Sequence, residues 1–166
     1  FLASKNTKHY IGTEPSTKTY DGLLKMKKEF SYLGKQIDIY KQGSEDFIPE
    51  KESIDLCFTS PPYFDTEKYS DESTQSYKKF STPNEWVSGF LKKTIKNCYS
   101  GLKKNSYMLI NIANTPKYKF IEKETVNISS EIGFIKEPTV DLILSSVAGK
   151  GIKTEPVFVF RKGNSG

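Results

Sequence analysis

The chain has 166 residues and a formal net charge of +5, from 25 Lys and Arg against 20 Asp and Glu. That length is enough for one hydrophobic core, and 10 Tyr with 11 Phe exclude a disordered charged tail. No run of about 18 apolar residues and no signal-peptide pattern is present, so a soluble, cytoplasmic domain spanning 1–166 is expected, with polyanions favoured as partners over cations.

From the amino end, "KHYIGT" (8–13) reads as a short strand closed by Glu14-Pro15, where proline withholds the next backbone donor. A helix follows, with Ser16 or Thr17 as its cap, Leu23, Leu24, Met26 and Phe30 as its apolar face, and Gly34 as a left-handed stop. "QIDIY" (36–40) and "SIDLCFT" (53–59) are the next two strands, separated by "GSEDFIPE". Residues 60–81 are polar with interspersed aromatics and no clean period, which predicts a long loop of functional use. "TPNE" (82–85) is a capping box with proline at the first helical position, and Val87, Leu91, Thr94, Ile95, Cys98 and Leu102 then recur at helical spacing.

"SYMLINIA" (106–113) is a nearly continuous apolar run, as in a strand covered on both faces. A weaker helix spans about 119–132 and stops at Gly133, and strands near 139–146 and 155–161 close the chain as an antiparallel pair. Strands alternating with helices indicate an α/β fold whose sheet is mostly parallel with one reversed member. In such sheets ligands sit beyond the carboxyl ends of the strands.

Several polar residues fall at those ends. Glu14 is placed to accept from ribose hydroxyls, or else to favour a helix start; Gly43 permits close backbone approach, while Ser44, Glu45 and Asp46 offer acceptors for an exocyclic amine, or form a capping turn. "FTSPPYF" (58–64) is more specific. Pro61 and Pro62 stiffen the chain into an arch that no helical or sheet ladder consumes, so the Ser60 hydroxyl and the Pro61 carbonyl can converge on one amino group. Tyr63, with Phe64 beside it, supplies a flat face on which a base could stack. Cys57 and Cys98 lack ligand spacing and read as reduced core residues, so no metal site is implied; His9 reads as packing or surface, Trp86 as core, and Asn111 and Asn114 as possible borders of the pocket.

"TSPPYF" resembles the catalytic motif of S-adenosylmethionine-dependent amino methyltransferases acting on DNA, of the N4-cytosine and N6-adenine type. "YIGTEPS" resembles that family's second strand, "QGSEDF" the segment beside the cofactor adenine, and "LINIAN" the fifth strand; "QSYKKFSTPNEW" follows the motif, and the likeness covers most of residues 8–161. The resemblance implies a Rossmann-like methyltransferase sheet and S-adenosylmethionine as cofactor, held by Glu14, Ser44, Glu45 and Asp46. It implies DNA as partner, catalysis by Ser60, Pro61, Pro62 and Tyr63, and substrate contacts from Phe64, Lys68 and Tyr69. The serine form resembles the N4-cytosine branch more than the N6-adenine one. Other residues of the loop, Tyr77, Phe80, Lys78 and Lys79, could also reach DNA, although Asp65, Glu67, Asp71 and Glu72 argue against a simple phosphate clamp.

The departure is at the front: no glycine-rich turn precedes "YIGTEPS", "FLASKN" resembles the end of the helix that follows such a turn, and the first residue is not Met. The expectation is therefore a fragment of a longer enzyme that lacks its first strand, with the missing amino-terminal segment as a partner and a restriction endonuclease as a possible one. The competing readings are an inactive methyltransferase-like binding module and an amino methyltransferase acting on RNA or protein glutamine.

Overall fold

The structure, a computed structural model, describes residues 4–64, 68, 70–144 and 153–164. Strands β1 (His9–Thr13) and β2 (Gln36–Tyr40) pair in parallel, with His9 opposite Gln36 and Thr13 opposite Tyr40. Helix α1 (Thr17–Glu29) makes the crossover that a parallel pair requires. The Ser16 side chain makes no cap bond; instead Glu14 Oε1 accepts the Ser16 N–H at 2.7 Å, and a carboxylate there also suits the helix dipole. Gly34 is left-handed (φ 64°) as expected, closing the 3-10 turn Phe30–Leu33. The apolar face expected of this helix is not covered: α1 buries no residue, and Leu24 is among the exposed large side chains. His9 lies at the surface, its Nε2 2.8 Å from Asp38 Oδ2 on the neighbouring strand.

The second sheet holds five strands. β3 (Ile54–Thr59) runs parallel to β4 (Leu102–Asn111), and β4 pairs antiparallel with β7 (Lys153–Lys162). The other side of β7 carries β5 (Phe134–Lys136) and β6 (Val140–Leu144), both antiparallel to it. β3, β4, β5 and β6 thus share one direction and β7 alone opposes it, which is the reversed member expected near the carboxyl terminus. The pairing of β5 and β6 with β7 slips by one residue around Pro138, since Phe134 faces Lys162 while Val140 faces Val157. Sequence reading misses β5 because the strand is only three residues long and directly follows the Gly133 stop (φ 113°).

The capping box forms as predicted: Thr82 Oγ1 accepts the Glu85 N–H at 3.2 Å, and Glu85 Oε2 accepts the Thr82 N–H at 3.1 Å. The helix it starts is not uniform, comprising α3 (Pro83–Trp86), a π segment (Val87–Leu91) and α4 (Lys92–Gly101). The wider π turn brings Trp86, Phe90, Leu91, Thr94 and Ile95 inward together. Phe80 lies against the backbone at Gly89, where a Cβ would come within 2.2 Å of its ring. With Met108, Ile110 and Phe160 from the strands, Ile112 just past the end of β4, and Ile121 and Ile128 from α5 (Ile121–Ile132), these side chains make the core. Cys57 and Cys98 are free and pack against that core, where the neighbouring Cys57 thiol and burial push the Cys98 thiol well up.

Among the described residues, β1 and β3 each have one edge without a strand partner, and no ladder joins the two sheets. Leu56 and Phe58 on β3 are 42% and 49% exposed, unusual for a strand that would be interior in a closed sheet. Among the same residues no helix is long and apolar enough to cross a membrane.

Candidate active site

The carboxyl ends of β1, β2 and β3 meet around a cavity of about 320 Å³. Its walls include Glu14 after β1, Gly43, Ser44 and Glu45 after β2, and Ser60 with both prolines after β3. The size suits a small organic ligand rather than a single ion.

The arch behaves much as its sequence implies. Ser60 is exposed on the cavity rim and its Oγ donates to Asn111 Oδ1 at 3.2 Å. The Pro62 carbonyl accepts the Phe64 N–H at 3.0 Å, which turns the chain and leaves Phe64 left-handed (φ 57°). No donor among the described residues reaches the Pro61 carbonyl. Hydroxyl oxygen and free carbonyl therefore lie on adjacent residues of one rigid segment.

Tyr63 differs from expectation. Its ring is only 9% exposed, belongs to the hydrophobic core and does not line the cavity. Its hydroxyl donates to Glu155 Oε2 at 3.0 Å and lies 3.5 Å from Asn111 Oδ1. The ring braces the arch from behind because both its apolar body and its polar tip find partners inside the protein. Phe64 is likewise drawn inward, its ring meeting Trp86 edge to face at 6.3 Å. Neither ring presents an open platform for a base.

Of the acids after the second strand, Ser44 and Glu45 line the cavity and Asp46 does not. Ser44 Oγ shares a hydrogen bond with Thr94 Oγ1 at 2.9 Å, and Asn97 Nδ2 donates to the Ser44 and Glu45 carbonyls, which fixes this turn to α4. The Glu45 side chain is 1% exposed, its Oε1 2.5 Å from Lys79 Nζ, which also meets Asp46 Oδ2 at 2.6 Å. Burial opposes the Lys79 charge, but its bonds to Asp46 and Glu45 outweigh that and raise its pKa. Lys79 sits at the end of α2 (Ser76–Lys79), a single turn inside the stretch expected to be loop, and it is spent on these acids rather than offered to a phosphate.

Two buried polar atoms of residues that line the cavity have no partner among the described residues: the acceptor Glu45 Oε2 and the donor Gln75 Nε2. Such groups cost about 1–3 kcal/mol each when left unpaired. Gln75 and Glu155 escape a sequence reading of the site, since nothing in their local pattern separates them from surface or strand residues; Asn111, expected at the pocket border, sits behind Ser60 instead, and Lys79, expected to reach DNA, is held by Glu45 and Asp46.

Lys68 is exposed, with its Nζ 5.6 Å from the Tyr77 ring centroid, and Tyr69 lies outside the described residues, as do Asp65 and Glu67. Glu72 is an internal tether: both its oxygens accept the Thr17 N–H, at 3.0 and 3.1 Å, and the Thr17 hydroxyl donates to it as well. Asn114 exchanges hydrogen bonds with Glu122 at the start of α5 and does not line the cavity.

Residues 54–166, more than half of the chain and including the whole arch, match the family described as DNA methylase, N6/N4 type. The chain belongs to this DNA methylase family. Among solved structures, an S-adenosylmethionine-dependent methyltransferase from Methanosarcina mazei superposes with a TM-score of 0.60 at 11% identity, over 92% of this chain and 81% of that one. A candidate DNA modification methylase from Thermus thermophilus gives a TM-score of 0.52 at 11% identity, over 95% of this chain and 54% of that one. The N-methyltransferase NodS from Bradyrhizobium japonicum, solved with S-adenosyl-L-homocysteine, gives 0.59 at 11% identity, over 93% and 67%. At these identities the likeness establishes the Rossmann-like methyltransferase fold, and the chain spans about half of the Thermus protein. No curated protein matches the sequence.

Proposed function

We propose that this DNA methylase transfers a methyl group from S-adenosylmethionine to the exocyclic amino group of a flipped DNA base, with cytosine N4 favoured over adenine N6. The observation that carries the proposal is the pairing, on one stiff arch at the cavity rim, of the Ser60 hydroxyl with the unconsumed Pro61 carbonyl. The serine in place of an acid or amide supports the cytosine preference.

The residues present fit the cofactor. Glu14 follows a strand end and lines the cavity, which supports a role as ribose acceptor, and the carboxylate of Glu45 and the amide of Gln75, also lining residues, are chemically suited to the donor and acceptor on the edge of an adenine. Bound there, S-adenosylmethionine supplies a methyl group on a sulfonium, a good leaving group. The protein's task is then to hold the amine. Ser60 Oγ and the Pro61 carbonyl would accept its two N–H bonds and leave the nitrogen lone pair free to attack, one amine proton passing to water once the new N–C bond has replaced the S–C bond; orienting reactants in this way contributes on the order of 7–11 kcal/mol. Flipping the base costs a few kcal/mol, which contacts other than the buried Tyr63 ring must offset.

The open edges of β1 and β3, with Leu56 and Phe58 exposed between them, support a further parallel strand in this gap, which would join the two sheets and cover α1. Its source would be a segment beyond the present sequence.

The test is methyl transfer to DNA by the full-length protein, with nucleoside analysis of the product. N4-methyldeoxycytidine is expected, and Ser60→Ala is expected to lower turnover about tenfold, the value of one well-placed hydrogen bond. N6-methyldeoxyadenosine would correct the base; no methylated base, or an unchanged rate in Ser60→Ala, would overturn the assignment.

A further inference from the structure

The register of the sheet carries one more step. Thr59 pairs with Ile110, so the next residues, Ser60 and Asn111, come together at the ends of β3 and β4; Asn111 in turn pairs with Val157, which brings Glu155 and Pro156 alongside. Asn111 is buried and meets three groups. Its Nδ2 donates to the Pro156 carbonyl at 3.0 Å, while its Oδ1 faces Ser60 Oγ at 3.2 Å and Tyr63 Oη at 3.5 Å.

Hydrogen-bond polarity fixes this arrangement. Rotating the Asn111 amide by half a turn would set oxygen against the Pro156 carbonyl, so Oδ1 must face the arch. Tyr63 has one hydroxyl proton, and Glu155 Oε2 at 3.0 Å takes it in preference to Asn111. Asn111 Oδ1 is therefore left to the Ser60 proton. A carboxamide oxygen accepts only, so the Ser60 hydroxyl must point its proton inward and its lone pairs toward the cavity rim.

We infer that Asn111 is a positioning residue that locks the Ser60 hydroxyl as an acceptor. The inference rests on the amine-methylation reading above. An amine nucleophile needs its N–H bonds held and its lone pair free. A Ser60 hydroxyl able to rotate would donate into that lone pair and block it. Asn111 thereby acts on turnover while making no contact with the substrate itself.

The experiment is a double-mutant cycle in the full-length protein, with steady-state methylation of DNA for the wild type, Asn111→Leu, Ser60→Ala and the double variant. Asn111→Leu should lower kcat about tenfold with KM for DNA kept within about twofold, and should have almost no further effect once Ser60 is alanine. Equal losses in both backgrounds, or an unchanged kcat, would overturn the inference while leaving the methylase reading intact; a wild type without methyl transfer would instead remove the reading on which it rests.

Asn111→Asp keeps the size of the side chain and serves if the leucine variant does not fold. Its carboxyl accepts the Ser60 proton whether ionised or protonated, so its kcat should stay within about threefold of wild type. A loss as large as that of Ser60→Ala would equally overturn the inference.

Discussion

Replacing Lys79 with methionine removes the ammonium shared by Glu45 and Asp46 while keeping most of the side-chain length. The cost falls mainly on Glu45, whose carboxylate is 1% exposed and whose second oxygen already lacks a partner; Asp46, 53% exposed, can return to water. A hydrogen bond to a charged group contributes about 1.5–3 kcal/mol, and partial exposure of Lys79 argues for the lower half, so a loss of about 2 kcal/mol is expected. For a domain of this size that lowers Tm by roughly 4–8 °C. In a Glu45→Gln background the same change should cost less than about 0.5 kcal/mol, because a buried amide needs no counter-ion. The raised Lys79 pKa sets the pH dependence: its contribution is fully present below the ordinary value of 10.5 and is lost as pH rises through the higher folded value. The gap between wild type and variant should therefore stay constant near neutrality and close only in strong alkali. Denaturant unfolding of the four proteins measures all of this. A Lys79→Met variant as stable as wild type, or one equally destabilised in the Glu45→Gln background, would refute the idea that this lysine neutralises the buried acid.

Thr82→Ala, by removing the acceptor of the Glu85 N–H, should cost about 1 kcal/mol in denaturant unfolding. Glu85→Gln should be less stable than wild type near neutrality: hydrogen bonds from Ser81 and Thr82 hold the Glu85 carboxyl below its ordinary 4.5, so its contribution is present above that value and lost as pH falls through the lower folded one, where Tm of the two proteins should converge. Gly89→Ala should destabilise by about 1–3 kcal/mol because the new methyl would press on the Phe80 ring, and the loss should shrink when Phe80 is alanine.

Where a feature depends on a few neighbouring residues, the sequence displays it openly. The Thr82-to-Glu85 box, the left-handed glycines at 34 and 133 and the proline arch all form as read, because backbone dihedrals and capping are decided within one turn of chain. The site divides on the same principle. Glu14, Ser44, Glu45 and Ser60 reach the cavity because each follows a strand end, and strand ends converge in this fold. Tyr63 is misread from sequence because an aromatic next to a pocket motif looks identical whether it faces ligand or core; the deciding fact is Glu155, 92 positions away. Asn111 and Lys79 are singled out in the sequence but not with the contacts they make, since only the β3–β4 register and the docking of α2 decide those.

The segment after the arch shows how these long-range contacts act together. Glu72 holds Thr17 at the start of α1, Thr74 Oγ1 donates to the Pro15 carbonyl at 3.0 Å, and Lys79 grips both acids after β2. These ties connect a stretch that follows β3 to the two-stranded sheet, with which β3 shares no ladder. The Glu72 and Thr74 ties are exposed, so each is weak alone, and the Glu72 carboxylate contact is screened by salt, whereas the Lys79 contact to buried Glu45 is the strongest of the set. Gln75 and Ser76 lie between the tethered residues and form part of the cavity wall. A ligand that filled the cavity and met Glu14 and Glu45 on one side and Ser60 and Gln75 on the other would bind both sides of that seam at once, and so would tighten the contact between the half of the fold that carries Glu14 and Glu45 and the half that carries Ser60.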